Sequence, residues 1–311
     1  MKRAARNAST ELSRLSTEQP NPASRDLDLK SSLEIARILN NEDAKVARAV
    51  KPALSQIARA IDVIAAALKK GGRLIYVGTG TSGRIAALDA AEIPPTYGTN
   101  PKTVQFIIAG GVKALAAAVE ANEDSRQSGD QAMAKKKPGK NDVIVGIAAS
   151  GRTPFTIAAV QYARRHSAKT VAVTCNRNSQ LGKAADIEIV VEVGPEAISG
   201  STRMKAGTAQ KMVLNMLSSG AMTKLGYVYD NLMINIRMKN YKLAERAASI
   251  LQRAAGVPRE TAKQALKSGG NSVPLALIML QTGVSRAAAQ RALKASAGNV
   301  RQAIAAAKRS R

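Results

Sequence analysis

Two turns rich in glycine and hydroxyls hold the most chemical potential in this sequence. The first, Gly78-Thr-Gly-Thr-Ser-Gly83, follows a β-branched run and opens a helical stretch. Hydroxyls at Thr79, Thr81 and Ser82, beside the free N–H groups of a helix start, suit a phosphate monoester. The turn also spells GxGxxG, but a dinucleotide site needs an acid about 20 residues on, at the end of the next strand. That strand ends Ile107-Ile-Ala-Gly-Gly111 with no acid, so a dinucleotide is not expected. The plainer alternative is a tight strand–helix joint with a serine cap. The second turn, Ala148-Ala-Ser-Gly-Arg-Thr-Pro154, offers Ser150, Gly151 and Thr153 as donors, with Pro154 placed to open a helix. Two such turns at neighbouring strand ends would form one concave anion site.

Carboxylates supply the second kind of chemistry. Acids are scarce, 22 Asp+Glu against 47 Lys+Arg, yet Asp89 and Glu92 follow the first strand at helical spacing. Glu120 and Glu123 repeat that spacing on the expected next helix. Each alone reads as a solvated or ion-paired carboxylate; in pairs around a sugar, such groups serve as general acid and general base. A third anion-facing helix entrance is expected in the segment 194–211, where Ser201, Thr202, Arg203 and Lys205 follow a turn. His166 reads as a helix-terminal surface residue beside Arg164 and Arg165, and Cys175 as a small core residue or a group near the cleft.

The elements that must position these groups follow from periodicity. Strand-like runs occur at 73–77, 103–108, 142–147, 170–174 and 187–193, separated by alanine-rich helical stretches at about 82–92, 112–136, 153–165 and 178–185. The pattern predicts an α/β fold with a doubly wound parallel sheet of about five strands, its ligand beyond the carboxyl ends of the strands. Residues 1–28 read as a polar arm, and 30–70 as two helices broken near Pro52. Long helices are expected at about 203–226 and 229–254. Sliding the tail by 27 residues pairs Gly256 with Gly283, Arg259 with Arg286, Ala262 with Ala289, Val273 with Val300 and Ala276 with Ala303. Two helix–turn–helix units would make a small all-α subdomain at 255–311, leaving 29–254 as the anion-binding domain.

Composition narrows the function classes. One His and one Cys exclude a multi-His metal centre and an intramolecular disulfide. No apolar run reaches the roughly 18 residues of a spanning helix, and the first 20 residues lack a signal-peptide core, so a soluble cytoplasmic protein is expected. The net charge of +25 attracts anions without choosing among them. The tail carries ten Lys/Arg and one acid, which predicts at most weak, salt-sensitive, sequence-independent contact with nucleic acid.

Taken together, GTGTSGRIAALDAAEIPPTYG (78–98), AVEANEDS (118–125), GIAASGRTPF (146–155) and GPEAISGSTRMKAGTAQKMVLN (194–215) resemble the N-acetylmuramic acid 6-phosphate etherase family, within the sugar-isomerase (SIS) fold superfamily. The likeness runs from about Asn21 to Ile304, and the 194–215 segment is also similar to the glucokinase regulatory protein. The resemblance implies a lyase that cleaves the lactyl ether of the sugar to N-acetylglucosamine 6-phosphate and D-lactate, in cell-wall amino-sugar recycling. It implies no metal or organic cofactor, and a homodimer. By position Glu92 matches the family's proton donor and Glu123 its other active-site glutamate, although which is acid and which base stays open. Thr81, Ser82, Gly83, Ser150, Gly151, Thr153, Glu120 and Ser201 would bind the sugar phosphate. One departure is Asn235, where the family usually has an acid. The alternative readings are a non-catalytic sugar-phosphate sensor and an aldose–ketose isomerase of the same fold. A sequence-specific DNA regulator fits poorly, because 30–70 shows no short recognition turn.

Overall fold

The computed structural model describes residues 15–117, 122–236 and 241–309. Residues 15–29 form short 3-10 turns, followed by helices α1 (Ser32–Asp43), α2 (Val46–Val50) and α3 (Leu54–Lys69). Ser31 and Glu34 cap α1 reciprocally, satisfying donors that a helix start leaves free. Then strands and helices alternate: β1 (Leu74–Gly78), α4 (Gly80–Tyr97), β2 (Val104–Ile108), α5 (Arg126–Lys136), β3 (Val143–Ile147), α6 (Pro154–Arg165), β4 (Lys169–Thr174), α7 (Gln180–Ala184) and β5 (Ile187–Val190). The five strands pair in the order β2-β1-β3-β4-β5, all parallel. This is the expected doubly wound sheet. β1 and β3 are buried at every position, as strands covered on both faces must be.

Three local expectations are corrected. The stretch 112–136 is not one helix: after Gly110-Gly111, both at positive φ, comes a 3-10 turn, Val112–Leu115, and α5 starts at Arg126, capped by Ser125. Helix α4, expected to end near 92, continues through Pro94 and Pro95 to Tyr97. Those prolines fall in its last turn, and Gly98 N–H bonds to the Pro94 carbonyl (2.9 Å) to close it. Finally, helix α8 (Lys205–Lys224) is followed by a two-stranded hairpin, β6 (Val228–Tyr229) and β7 (Leu232–Met233), where a helix was expected. Its two-residue turn is Asp230-Asn231, with Asp230 at φ 56°, the short polar pair such turns favour.

The tail is all helix: α9 (Tyr241–Ala255), α10 (Arg259–Ser268), α11 (Val273–Thr282), α12 (Arg286–Ala295) and α13 (Val300–Arg309). The 27-residue repeat is a repeat of the core. Ala262 and Ala289, Val273 and Val300, and Ala276 and Ala303 are each at most 1% exposed and share one apolar cluster. The chain resolves into two compact units. One runs through Ala90 and resumes over Lys102–Ser218; the other takes Ala91–Pro101 and the chain from Ser219 onward. No helix among the described residues is long and apolar enough to cross a membrane.

In the first unit, a buried ion pair ties the N-terminal helices to α8. Lys205, the first residue of α8, is 2% exposed, and its Nζ lies 2.6 Å from Oε2 of Glu42 on α1. Glu42 also accepts from Lys45 and from Asn21 Nδ2 (2.9 Å). Burial opposes its charge, but hydrogen bonds from Lys205, Lys45 and Asn21 prevail and hold its pKa at about 2. Because the folded value lies below the ordinary 4.5, the stabilisation is present above about pH 4.5 and is lost as pH falls toward about 2. Glu42→Gln should lower unfolding stability in urea by about 3–5 kcal/mol at pH 7, since it leaves a buried ammonium unpaired. That difference should narrow as the pH falls through the same window.

Candidate active site

The site begins with the pairing of β1 and β3. Gly78 is in register with Ile147, so the turns leaving these two strands are neighbours. In the strand order observed, this is where the connections diverge to opposite sides, the usual place for a ligand.

The first turn is shorter than the sequence suggested. Only Thr79 separates β1 from α4, which places Thr81, Ser82 and Gly83 in the first helical turn. Glycine is required here by close approach: a methyl group on Gly83 would stand 2.5 Å from Ile108 Cγ1, and one on Gly78 only 3.0 Å from Gly83 N. Ser82 is buried, and its hydroxyl donates to Gln210 Oε1 on α8 (2.9 Å). A methyl on Gly207 of α8 would lie 3.4 Å from Thr81 Cγ2, so α8 rests directly on this turn.

The second turn holds Ser150, Gly151 and Thr153, with Thr153 at the N-cap of α6 and Pro154 opening the helix. Ser150 Oγ accepts from Arg152 N (3.3 Å). Gly151 has φ 67°, and a methyl there would meet Ser179 Cβ at 2.4 Å. Ser150 and Arg152 also border a cavity of about 630 Å³ with Arg177, Ser179 and Lys183.

Glu123 joins the two turns. It sits in a turn, Asn122–Asp124, rather than on the helix expected there. Its carbonyl accepts from Phe155 N in α6 (3.1 Å), just past the second turn. Its carboxylate reaches the first: a methyl on Gly80 would stand 3.4 Å from Glu123 Oε1, and Gly80 itself is left-handed at φ 49°. Arg84, on the next turn of α4, donates to the carbonyls of Leu115 (3.3 Å) and Ala117 (2.9 Å) and so holds the end of the 3-10 turn. The structure therefore brings Thr81, Ser82, Gly83, Ser150, Gly151, Thr153 and Glu123 to one end of the sheet.

The remaining candidates lie on other parts of the chain. Glu120 lies outside the described residues. Glu92 is exposed, three turns further along α4 and within the second compact unit. Its sequence neighbour Asp89 is buried and accepts from Tyr76 Oη (2.8 Å) and Ser218 Oγ (3.0 Å), so it is a packing group. Ser201 lies in the turn before α8 and is half-buried.

The third anion-facing entrance is overturned. Lys205 is consumed by Glu42, and the N-terminus of α8 is already occupied by the chain's own Glu196. That carboxylate accepts from Lys205 N and Ala206 N, both at 2.9 Å. Burial raises the Glu196 pKa, against those two N–H groups and the Lys205 charge. Cys175 is a core residue whose thiol is pushed up to about 12, chiefly by burial and also by Glu196. His166 caps α6 at the surface, stacked on Tyr162 with centroids 4.2 Å apart. Among the described residues no group of three or more His, Cys, Asp or Glu is arranged to hold a metal ion.

Sequence reasoning missed Gln210 and Arg84. Both lie inside the quoted motifs, but their polar atoms act on partners that only the folded chain supplies.

Comparison with known proteins adds the following. Residues 56–164 match the glucokinase regulatory protein N-terminal SIS domain, and residues 124–219 match the SIS domain. The chain is 47% identical over 299 residues to N-acetylmuramic acid 6-phosphate etherase 1 of Bacillus licheniformis, covering 96% of this chain and 98% of that one. It is 54% identical over 274 residues to the N-acetylmuramic acid 6-phosphate etherase of Symbiobacterium thermophilum, covering 88% and 91%. A solved phosphoheptose isomerase from Francisella tularensis is 21% identical with a TM-score of 0.46, covering 62% of this chain and 98% of that one.

Gly151→Ala is expected to destabilise the protein by about 2–5 kcal/mol, combining the cost of a left-handed alanine with overpacking against Ser179. Thermal and urea unfolding would measure it.

Proposed function

Because this chain belongs to the N-acetylmuramic acid 6-phosphate etherase family, we propose that Glu123 and Glu92 carry its proton transfers and that its two hydroxyl turns hold the substrate. The activity is that of a carbon–oxygen lyase: N-acetylmuramic acid 6-phosphate and water become N-acetylglucosamine 6-phosphate and lactate. It belongs to amino-sugar metabolism and peptidoglycan recycling.

The chemistry makes specific demands. When the sugar opens to its C1 aldehyde, the C2 hydrogen becomes acidic, because the resulting carbanion delocalises as an enolate. Glu123 takes that proton. The C3–O bond then breaks, and Glu92 as a carboxylic acid protonates the departing lactyl oxygen. Water adds to C3 of the unsaturated aldehyde while C2 regains a proton, so the ring sugar is restored with a hydroxyl in place of the ether. Each transfer contributes about 10² to 10⁴-fold.

The observation that carries this reading is the placement of Glu123, with its carboxylate against Gly80 of the first turn and its backbone bonded to Phe155 beyond the second. In this reading Thr81, Ser82, Gly83, Ser150, Gly151 and Thr153 hold the 6-phosphate, with Glu120 and Ser201 on the sugar. Phosphate binding then supplies remote energy that positions C2 and C3 for proton transfer. We further propose that the protein acts as a homodimer in the cytoplasm, with residues 255–311 as an all-α appendage to a catalytic domain over 29–254. Residues 1–28 would serve as an arm, and nucleic acid would meet the basic tail only weakly.

Lactate release from N-acetylmuramic acid 6-phosphate tests the assignment. Glu123→Gln and Glu92→Gln should each lower turnover by at least about 10²-fold while still binding the substrate by calorimetry. Near-normal lactate release from either variant would falsify its catalytic role.

A further inference from the structure

We propose that Gln210 is a positioning residue that hands the Ser82 hydroxyl to the substrate phosphate by turning its own amide. The inference rests on the reading that Ser82 binds the phosphate, and deepens it.

Ser82 Oγ and Gln210 Oε1 are 2.9 Å apart, with Ser82 9% and Gln210 1% exposed. In this arrangement Ser82 is the donor, and a hydroxyl has only one hydrogen to give. A phosphate oxygen needs that same hydrogen, since it can only accept. Meanwhile Gln210 Nε2 is buried with no partner among the described residues. An orphaned buried donor is unfavourable, so the fold carries a standing cost at this amide.

A half-turn of the terminal amide resolves both problems. The two ends are nearly isosteric, so the turn needs no repacking. Nε2 then donates to the Ser82 oxygen, and the hydroxyl hydrogen is released toward the phosphate. The orphaned position passes to a carbonyl oxygen, which buried structure tolerates better than an unpaired N–H. Donation into the hydroxyl oxygen also polarises its O–H and strengthens the bond to the anion. Gln210 is well held for this role. It lies less than two turns into α8, whose first residue is fixed by Glu42 and whose first N–H groups are capped by Glu196.

The test uses the full chain and lactate release. Gln210→Met keeps size and no longer takes the Ser82 hydrogen, but it cannot donate to orient and polarise that hydroxyl. It should therefore raise KM about tenfold with kcat within about threefold of wild type, the pattern of lost phosphate binding. In the double variant with Ser82→Ala, KM should be no higher than for Ser82→Ala alone, because Gln210 acts only through that hydroxyl. Gln210→Glu provides the readout that a packing role would not move. Its ionised carboxylate can only accept and so keeps the Ser82 hydrogen, whereas its protonated form can donate. The ratio of its KM to wild type should therefore climb at least tenfold from pH 5 to pH 9, while the Gln210→Met ratio stays flat. The proposal is overturned by a wild-type KM in Gln210→Met, by Ser82 and Gln210 effects that multiply, or by a flat ratio in Gln210→Glu. A wild-type protein that releases no lactate would instead overturn the etherase chemistry.

Discussion

The site depends on the parallel pairing of β1 with β3. Parallel strands cannot be joined by a hairpin, so each must end in a crossover, and each crossover begins at the same carboxyl end of the sheet. Register places Gly78 beside Ile147, which makes the next few residues of both chains neighbours. Two helix starts then point their free N–H groups into one space, with Thr79, Thr81 and Ser82 on one side and Ser150 and Thr153 on the other. Shifting either strand by one residue would move its turn about 3.3 Å along the strand direction and pull the two sets of hydroxyls apart. The glycines enforce the same constraint: a methyl on Gly83 would stand 2.5 Å from Ile108 Cγ1, and one on Gly78 only 3.0 Å from Gly83 N.

A second layer of constraint comes from buried charge. Glu42, Lys205 and Glu196 bind the N-terminal helices, the 194–204 segment and α8 into one unit. None of the three gains much from being charged in a dry interior except through its partners. Their value lies in placement. Lys205 must sit where Glu42 is, which fixes the phase of α8, and that phase aims Gly207 at Thr81 and Gln210 at Ser82. Farther out, Asn176 bonds to Ser16 and Thr17 and to the Ala149 carbonyl, so the N-terminal segment braces the second turn from behind.

Much of this was legible in the sequence, for reasons that also explain what was not. The β-branched runs, the two turns and the 27-residue repeat are local or periodic signals, and the structure follows them to within a few residues. Glu123 lies in a turn rather than on the helix its spacing suggests, because Gly110-Gly111 and the Ser125 cap break a stretch whose alanines favour a helix. Lys205 was misread for a different reason. A lysine at a helix start looks anion-facing until a partner 163 residues away in sequence claims it, and no window of local sequence contains that partner. Gln210 was invisible for the same reason, since its role is set by a hydroxyl 128 residues earlier.

The net charge of +25 and the anion site turn out to be separate matters. Lys205 is fully committed to Glu42, and the two turns present mainly hydroxyls and backbone N–H groups, with Arg152 beside them in the second. Neutral donors hold a phosphate at short range, where geometry rather than charge decides the energy. A lysine in the same place would also hold a neighbouring carboxylate ionised, which weakens it as a proton acceptor. That cost matters beside Glu123, whose oxygen lies against the first turn. The surplus cations of the tail, including Lys267, Arg286 and Arg291, are exposed, so their field is screened within about 10 Å at 0.1 M salt. Such charges set how anions approach the protein rather than how the substrate is held. In the proposed reading, most formal positive charge stays at the surface, and hydroxyls and backbone N–H groups do most of the recognition beside Glu123.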